Sequence, residues 1–120
     1  MKYTEEHEWL RTEDDGTIVV GITKHAAEQL GDIVFIELPE EGDEMTLDDE
    51  VVVIESVKAA SDILAPLDGE VVEVNAAIVD EPGKINEDAE GDGWFFRLKA
   101  ADLSPMAEYM DEAAYKAFIG

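Results

Sequence analysis

No cysteine occurs in the 120 residues, which removes disulfides, thiol catalysis and thiolate metal ligation together. Any sulfur chemistry must be imported. Cations are scarce as well: eight Lys and Arg against thirty-one Asp and Glu give a formal charge of −23, spread along the chain rather than gathered in a tail. Such a surface repels nucleic acid and anionic membrane, so neither is expected as a partner. No apolar run approaches the ~18 residues of a membrane span, and the basic-then-apolar opening of a secretory signal is missing. The expectation is a soluble, cytoplasmic protein, or one of an organelle matrix if a transit peptide has been removed. His7 and His25 are the only histidines and show no ligand spacing, so no metal site is expected. Acidity this extreme fits adaptation to high salt, where repulsion between carboxylates is screened.

The length suits one domain, 1–120, with room for a core but little for a catalytic domain with its own cofactor pocket. Thr12 to Gly16 reads as a turn into a strand at Thr17 to Ile22, so the start is β. Thr23 suits the N-cap of a short helix, Lys24 to Leu30, with Ala26, Ala27 and Leu30 on one face and its end at Gly31. Seven residues cannot hold a helix alone, so it must pack on the sheet. Gly31 to Pro39 is a strand closed by proline. Gly69 to Asn75 repeats the pattern of Gly31 to Glu37 at an offset of 38 residues, which suggests two like halves closing into one β sandwich. Pro82-Gly83 echoes the turn after Pro39. Trp94 to Lys99 reads as a last strand. The tail turns helical over about 104–118, with Ser104 and Asp111 as N-caps and Met106, Tyr109, Met110, Ala114 and Phe118 as packing residues.

At the centre lies 51–66, a lysine between two strand-like runs. Val51 to Val57 is rich in β-branched residues, and Ser61 to Ala65 is stopped by Pro66. The bend, Lys58-Ala59-Ala60, lacks the Asn-Gly or Asp-Gly of the commonest two-residue turns, so a hairpin is expected but not its turn type. A lysine on a turn is by default only a solvated charge. Here the chain holds just six lysines, the surroundings are apolar or acidic, and Ala59, Ala60 and Ser61 leave the amine open. Glu55 and Asp62 flank it, either to keep the ammonium charged or to be read by a modifying enzyme.

Other candidate sites are weaker. Asn86 to Gly91 starts like a calcium loop, but Arg97 occupies the twelfth place where a bidentate glutamate is needed, so an acid-rich turn is the better reading. Glu55 and Asp62 as a hydrolytic pair would lie exposed, with no pocket to tune them. His7, in Glu6-His7-Glu8, reads as a surface histidine rather than a general base.

Glu55-Ser56-Val57-Lys58-Ala59, with Ser61-Asp62 and Pro66 after it, resembles the lipoyl-attachment segment of the glycine cleavage system H-protein family. His7-Glu8-Trp9, Gly31 to Pro39, Gly69 to Asn75, and Pro82 to Asn86 leading to Gly93-Trp94 fit the same family in order, over nearly the whole chain. Biotin carriers are less similar, because their lysine lies between methionines and Lys58 lies between Val57 and Ala59.

The resemblance implies a mainly β, hybrid-motif lipoyl-domain-like sandwich (a barrel-sandwich or hammerhead), with a short helix after the first strands and a helical C-terminus. It also implies a carrier rather than an enzyme, monomeric, with (R)-lipoate in amide linkage to Lys58. The implied partners are a pyridoxal-phosphate glycine decarboxylase that loads the aminomethyl group, a folate-dependent aminomethyltransferase that removes it, a flavin-dependent dihydrolipoamide dehydrogenase that takes the electrons, and a lipoate-attaching enzyme. A cleft for the loaded arm is implied at Glu8, with Asp62 near it and the Lys24 to Leu30 helix as a wall. Glu6 stands where the family often has a small hydroxyl residue, and Glu90 to Gly93 departs from the expected turn; both bear on the cleft rather than on Lys58. An alternative is a lipoylated carrier that mainly donates lipoate or serves another lipoate-linked pathway.

Overall fold

Nine strands form two antiparallel sheets in the computed structural model, which describes residues 1–120, and those with one face in water, such as β6, alternate between core and solvent. In chain order the elements are β1 (Lys2–Tyr3), β2 (Glu8–Thr12), β3 (Ile18–Ile22), α1 (Lys24–Leu30), β4 (Ile33–Glu37), β5 (Glu44–Met45), β6 (Glu50–Ser56) and β7 (Ala60–Leu64). They continue with β8 (Gly69–Val74), α2 (Ala76–Asp80), α3 (Gly83–Glu87), β9 (Phe96–Ala100) and, after a 3₁₀ turn over Ser104–Glu108, α4 (Glu112–Ile119). One sheet runs β1-β2-β3-β9-β8-β5 and the other β4-β6-β7. The chain is thus mainly β, a hybrid sandwich with a short helix after its first strands and a helical C-terminus.

Between the sheets, Ile33 and Ile36 of β4, Val52 and Ile54 of β6 and Ile63 of β7 meet Leu10, Val20, Ile22, Val71, Phe96 and Leu98. Every residue of β3 is buried, because its second face is also covered. Trp9, Tyr3, Val19 and Tyr115 form a smaller apolar cluster there, which docks α4. Gly21, opposite Trp9 in the β2–β3 register, is needed for that cover: a Cβ on it would lie 2.7 Å from the Trp9 indole. The indole N–H then donates to the Ala89 carbonyl at 2.9 Å.

The two segments that share a sequence pattern lie in different sheets, β4 in one and β8 in the other. Their shared glycine answers two different needs. Gly31 ends α1 at a φ of 77°, whereas Gly69 lets β8 approach the Lys99 carbonyl more closely than any side chain allows.

Thr23 caps α1 by accepting the Ala26 N–H at 3.2 Å, and Asp111 caps α4 by accepting that of Ala114 at 2.8 Å, as the sequence indicates. Several expectations need correction. Pro82-Gly83, read as a turn, opens α3, which carries Asn86 and Glu87, so the acid-rich turn begins only at Ala89; α2, over Ala76–Asp80, was not expected at all. These helices have only five residues each, carry no side-chain caps and are fastened by Ile78 and Ile85 in the core. The last strand begins at Phe96, since Phe95 instead gives its N–H to the Val20 carbonyl at 2.8 Å. In the tail, Ser104–Glu108 is a 3₁₀ turn; Ser104 does not cap it but donates from both N–H and hydroxyl to Asp102. Ala114 faces solvent, Phe118 is half-exposed with its ring 6.0 Å from that of His7 and 6.5 Å from that of Tyr115, and Met106 and Tyr109 lie against the core.

Candidate functional site

β6 and β7 form the expected hairpin, and the turn between them is Val57-Lys58-Ala59. Ser56 supplies what an Asn-Gly pair would have supplied. Its hydroxyl accepts the N–H groups of Lys58 (3.2 Å) and Ala59 (3.1 Å) and donates to the Ala59 carbonyl at 3.1 Å. The Ser56 N–H also reaches that carbonyl, at 2.8 Å. A short turn is thereby stitched by one side chain, with Lys58 exposed at its tip.

The Lys58 amine makes no ion pair and no hydrogen bond. Glu55 and Asp62 therefore do not hold the ammonium. Both are exposed on the outer face of the three-stranded sheet, Glu55 in a row with Phe35 and Ala60, Asp62 in a row with Val53 and Glu37. The stem of Lys58 instead lies along Gly31, the C-cap of α1, where a Cβ would stand 3.2 Å from its Cε. The turn is tied to the same place by the Val57 N–H, which donates to the Asp32 carbonyl at 3.0 Å.

At its other end α1 meets Glu8. Glu8 pairs with Ile22, and the Thr23 N–H donates to the His7 carbonyl at 2.9 Å, so the helix starts beside the Glu8 strand and finishes under Lys58. Glu8 is only 2 % exposed. Its Oε1 accepts from the Thr4 hydroxyl at 3.2 Å, and its Oε2 is buried with no partner. Burial pushes the carboxyl up to about 8; Thr4 opposes this, and the charges of Glu6 and Asp48 add to it. Glu6, at the place where a small hydroxyl was expected, thus favours the protonated form of Glu8. Asp48 stands at the far end of the hairpin, its N–H on the Ala65 carbonyl at 2.9 Å. Close by, the Tyr109 hydroxyl donates to the Pro66 carbonyl, and burial together with Glu8, Asp48, Glu6 and Glu108 raises its pKa.

His7 is no plain surface residue, and this corrects the expectation from sequence. It adopts a left-handed φ of 68°, is half-buried, and its Nδ1 lies 2.8 Å from the Tyr115 hydroxyl, which also shares a 2.8 Å bond with Thr23. Burial and the neighbouring His25 lower its pKa, against the pull of Glu6. Tyr115 carried no signal in the sequence, because its partners His7 and Thr23 lie 108 and 92 residues away, and Thr4, four residues from Glu8, carried none because no motif marks that pair. The departing segment has a task too: Glu90 accepts the Lys24 N–H at 2.9 Å at the start of α1.

The family model described as glycine cleavage H-protein matches residues 1–120. The chain belongs to that family. A glycine cleavage system H protein of Shewanella loihica is 55% identical over 119 residues, covering 99% of this chain and 92% of the relative. One of Dinoroseobacter shibae is 53% identical over 118 residues, covering 98% and 96%. The crystal structure of a glycine cleavage system H protein from Mycobacterium marinum superposes with a TM-score of 0.89 at 38% identity, over 99% of this chain and 95% of that one. H-protein membership fits this geometry: an unpaired lysine on a stitched turn, and a buried acid with one oxygen lacking a hydrogen-bond partner at the other end of α1.

Proposed function

We propose that this H protein, as one carrier domain over 1–120, takes lipoate in amide linkage at Lys58 and acts as a shuttle in glycine cleavage, with no catalytic residue of its own. The observation that carries the reading is the Lys58 amine, exposed on a braced turn with no carboxylate on it. A bound lipoyl group supplies the dithiol–disulfide chemistry and the acceptor for an aminomethyl unit that a cysteine-free chain lacks. The residues present suit it. Gly31 leaves room along the lysine stem, Ala59 and Ala60 leave the amine open, and Glu55 and Asp62 lie on either side of the turn, where a lipoate-attaching enzyme reads them.

Glu8 holds the second role. Its buried Oε2 has no donor, and an aminomethyl ammonium is a donor of the right charge. Protonated at neutral pH, the carboxyl would give its proton to the neutral form of such an amine, leaving a carboxylate–ammonium pair with no proton to dispose of. Low exposure keeps water from that oxygen while the pair persists. A tether of about 14 Å from the lysine Cα, estimated from single-bond lengths, lets one turn serve a glycine decarboxylase, an aminomethyltransferase and a dihydrolipoamide dehydrogenase in succession. With a charge of −23, this carrier finds basic surfaces on those partners, in the cytoplasm, as a monomer.

Peptide mapping of protein from its native organism tests the attachment: lipoyl mass on the peptide containing Lys58 is expected, and a bare lysine while the cells degrade glycine defeats it. Adding the modified protein to glycine decarboxylase tests the pathway. Exchange of the glycine carboxyl carbon with bicarbonate is expected, and its absence favours a donor of lipoate to other complexes.

A further inference from the structure

We propose that Asn86 is a positioning residue for the Lys58 turn, acting through the backbone of Gly31 to Ile33; this rests on the reading of Lys58 as the attachment point. Asn86 sits on α3, exposed beside the buried Ile85. Its amide grips one short stretch twice: Nδ2 donates to the Gly31 carbonyl at 2.8 Å, and Oδ1 accepts the Ile33 N–H at 2.9 Å. Between those two bonds lies Asp32, whose carbonyl takes the Val57 N–H at 3.0 Å, the one backbone bond that fastens the turn to the rest of the fold. Gly31, held by the same amide, is the surface on which the Lys58 stem lies.

The grip answers a need. Gly31 is in the left-handed region, and a register shift between Ile33 and Phe35 separates the last β4–β6 pair, Ile33 with Ser56, from the regular ladder, so strand pairing alone holds this end weakly. Ser56 fixes the shape of the turn from within. Asn86 fixes its direction from outside. The two bonds need a donor and an acceptor on one side chain, which the uncharged amide supplies on its two separate atoms, Nδ2 and Oδ1. Aspartate keeps the acceptor and sets a carboxylate oxygen against the Gly31 carbonyl.

The test uses the apo protein with a purified lipoate ligase, lipoate and ATP, comparing wild type, Asn86→Asp, Gly31→Ala and, as a destabilised control remote from the turn, Ile18→Val. Asn86 is exposed, so its substitution leaves the core intact. For Asn86→Asp we expect the ligase KM for the apo protein to rise up to about tenfold with kcat nearly unchanged, because a mobile turn is competent for a smaller fraction of the time. The Val57 amide is expected to exchange with deuterium several-fold faster relative to the core amides of β3. Gly31→Ala crowds the lysine stem and is expected to raise KM with Asn86 still in place. Ile18→Val is expected to change neither KM nor the Val57 ratio. An Asn86→Asp protein with wild-type KM and wild-type Val57 exchange overturns the proposal. If the ligase leaves wild type itself unmodified, the carrier reading fails, and Val57 exchange still decides whether Asn86 holds the turn.

Discussion

The Thr4 hydroxyl donates to Glu8 Oε1 at 3.2 Å, while Oε2 of the same buried carboxyl has no partner. That half-satisfied acid makes stability depend on pH in an unusual direction. Its ordinary value of 4.5 applies to the unfolded chain, and burial lifts it to about 8 in the fold. Below pH 4.5 both states carry the proton and the fold keeps its full stability from this group. Between the two values the unfolded chain is ionised and the fold is not, so stability falls by up to about 1.4 kcal/mol per pH unit. Relative to Glu8→Gln, wild type should therefore lose stability as pH rises from 4.5 to 8, by at most about 4 kcal/mol in all. Urea unfolding of both proteins across this range measures the difference. Parallel curves would show that Glu8 is not buried and protonated as described.

Thr4→Val removes the one hydroxyl that satisfies Glu8 and also receives the Glu8 N–H, at 3.1 Å. Because Thr4 holds the carboxyl down, its loss should raise the Glu8 pKa further, and two buried groups then lack partners. The expected cost is about 1–3 kcal/mol at neutral pH. Carbon-13 titration of the Glu8 carboxyl reads the shift directly; an unchanged midpoint would mean the hydroxyl does not bear on it.

Local signals and tertiary ones divide the molecule. The lysine hairpin was legible because its strands are β-branched runs, and the ends of α1 because Thr23 and Gly31 act on neighbours in sequence. Asp111 marked α4 for the same reason. α2 and α3 left no such mark, being single turns fastened by Ile78 and Ile85 to residues far away in the chain. Asn86 was misleading: its acidic neighbours made it look like a cation ligand, while its amide serves Gly31 and Ile33, 55 and 53 residues away. Resemblance pointed to Glu8, but no spacing in the sequence announces that its carboxyl is buried with one oxygen unpartnered.

Gly21→Ala is expected to damage the small cluster rather than the main core. Its methyl would fall 2.7 Å from the Trp9 ring, and the ring cannot retreat without losing its bond to Ala89. A destabilisation of about 1–3 kcal/mol follows for such overpacking. Displacement of the indole should shift tryptophan emission to the red and loosen α4, which docks there through Tyr115. Unaltered emission together with wild-type stability would contradict the described contact.

Salt should stabilise this protein, and the ion pairs explain why the opposite is not expected. Five pairs are formed, by Arg11, Lys24, Lys84, Arg97 and Lys116, which uses only five of the thirty-one acids. All five are at least partly exposed, and pairs of that kind contribute about 0–1 kcal/mol each. Salt weakens them, but it also screens repulsion among the many carboxylates left without a cation. With a charge of −23 on 120 residues, relief of repulsion outweighs the lost pairs. The midpoint of thermal unfolding should therefore climb steadily from about 0.05 to 1 M potassium chloride, as the Debye length shrinks to about 3 Å. Potassium sulfate at matched ionic strength should climb further, because sulfate also strengthens apolar burial, so the chloride series isolates the electrostatic part. A flat or falling midpoint in chloride would mean that the acids are already placed so as not to repel, and would remove the case for a high-salt habitat.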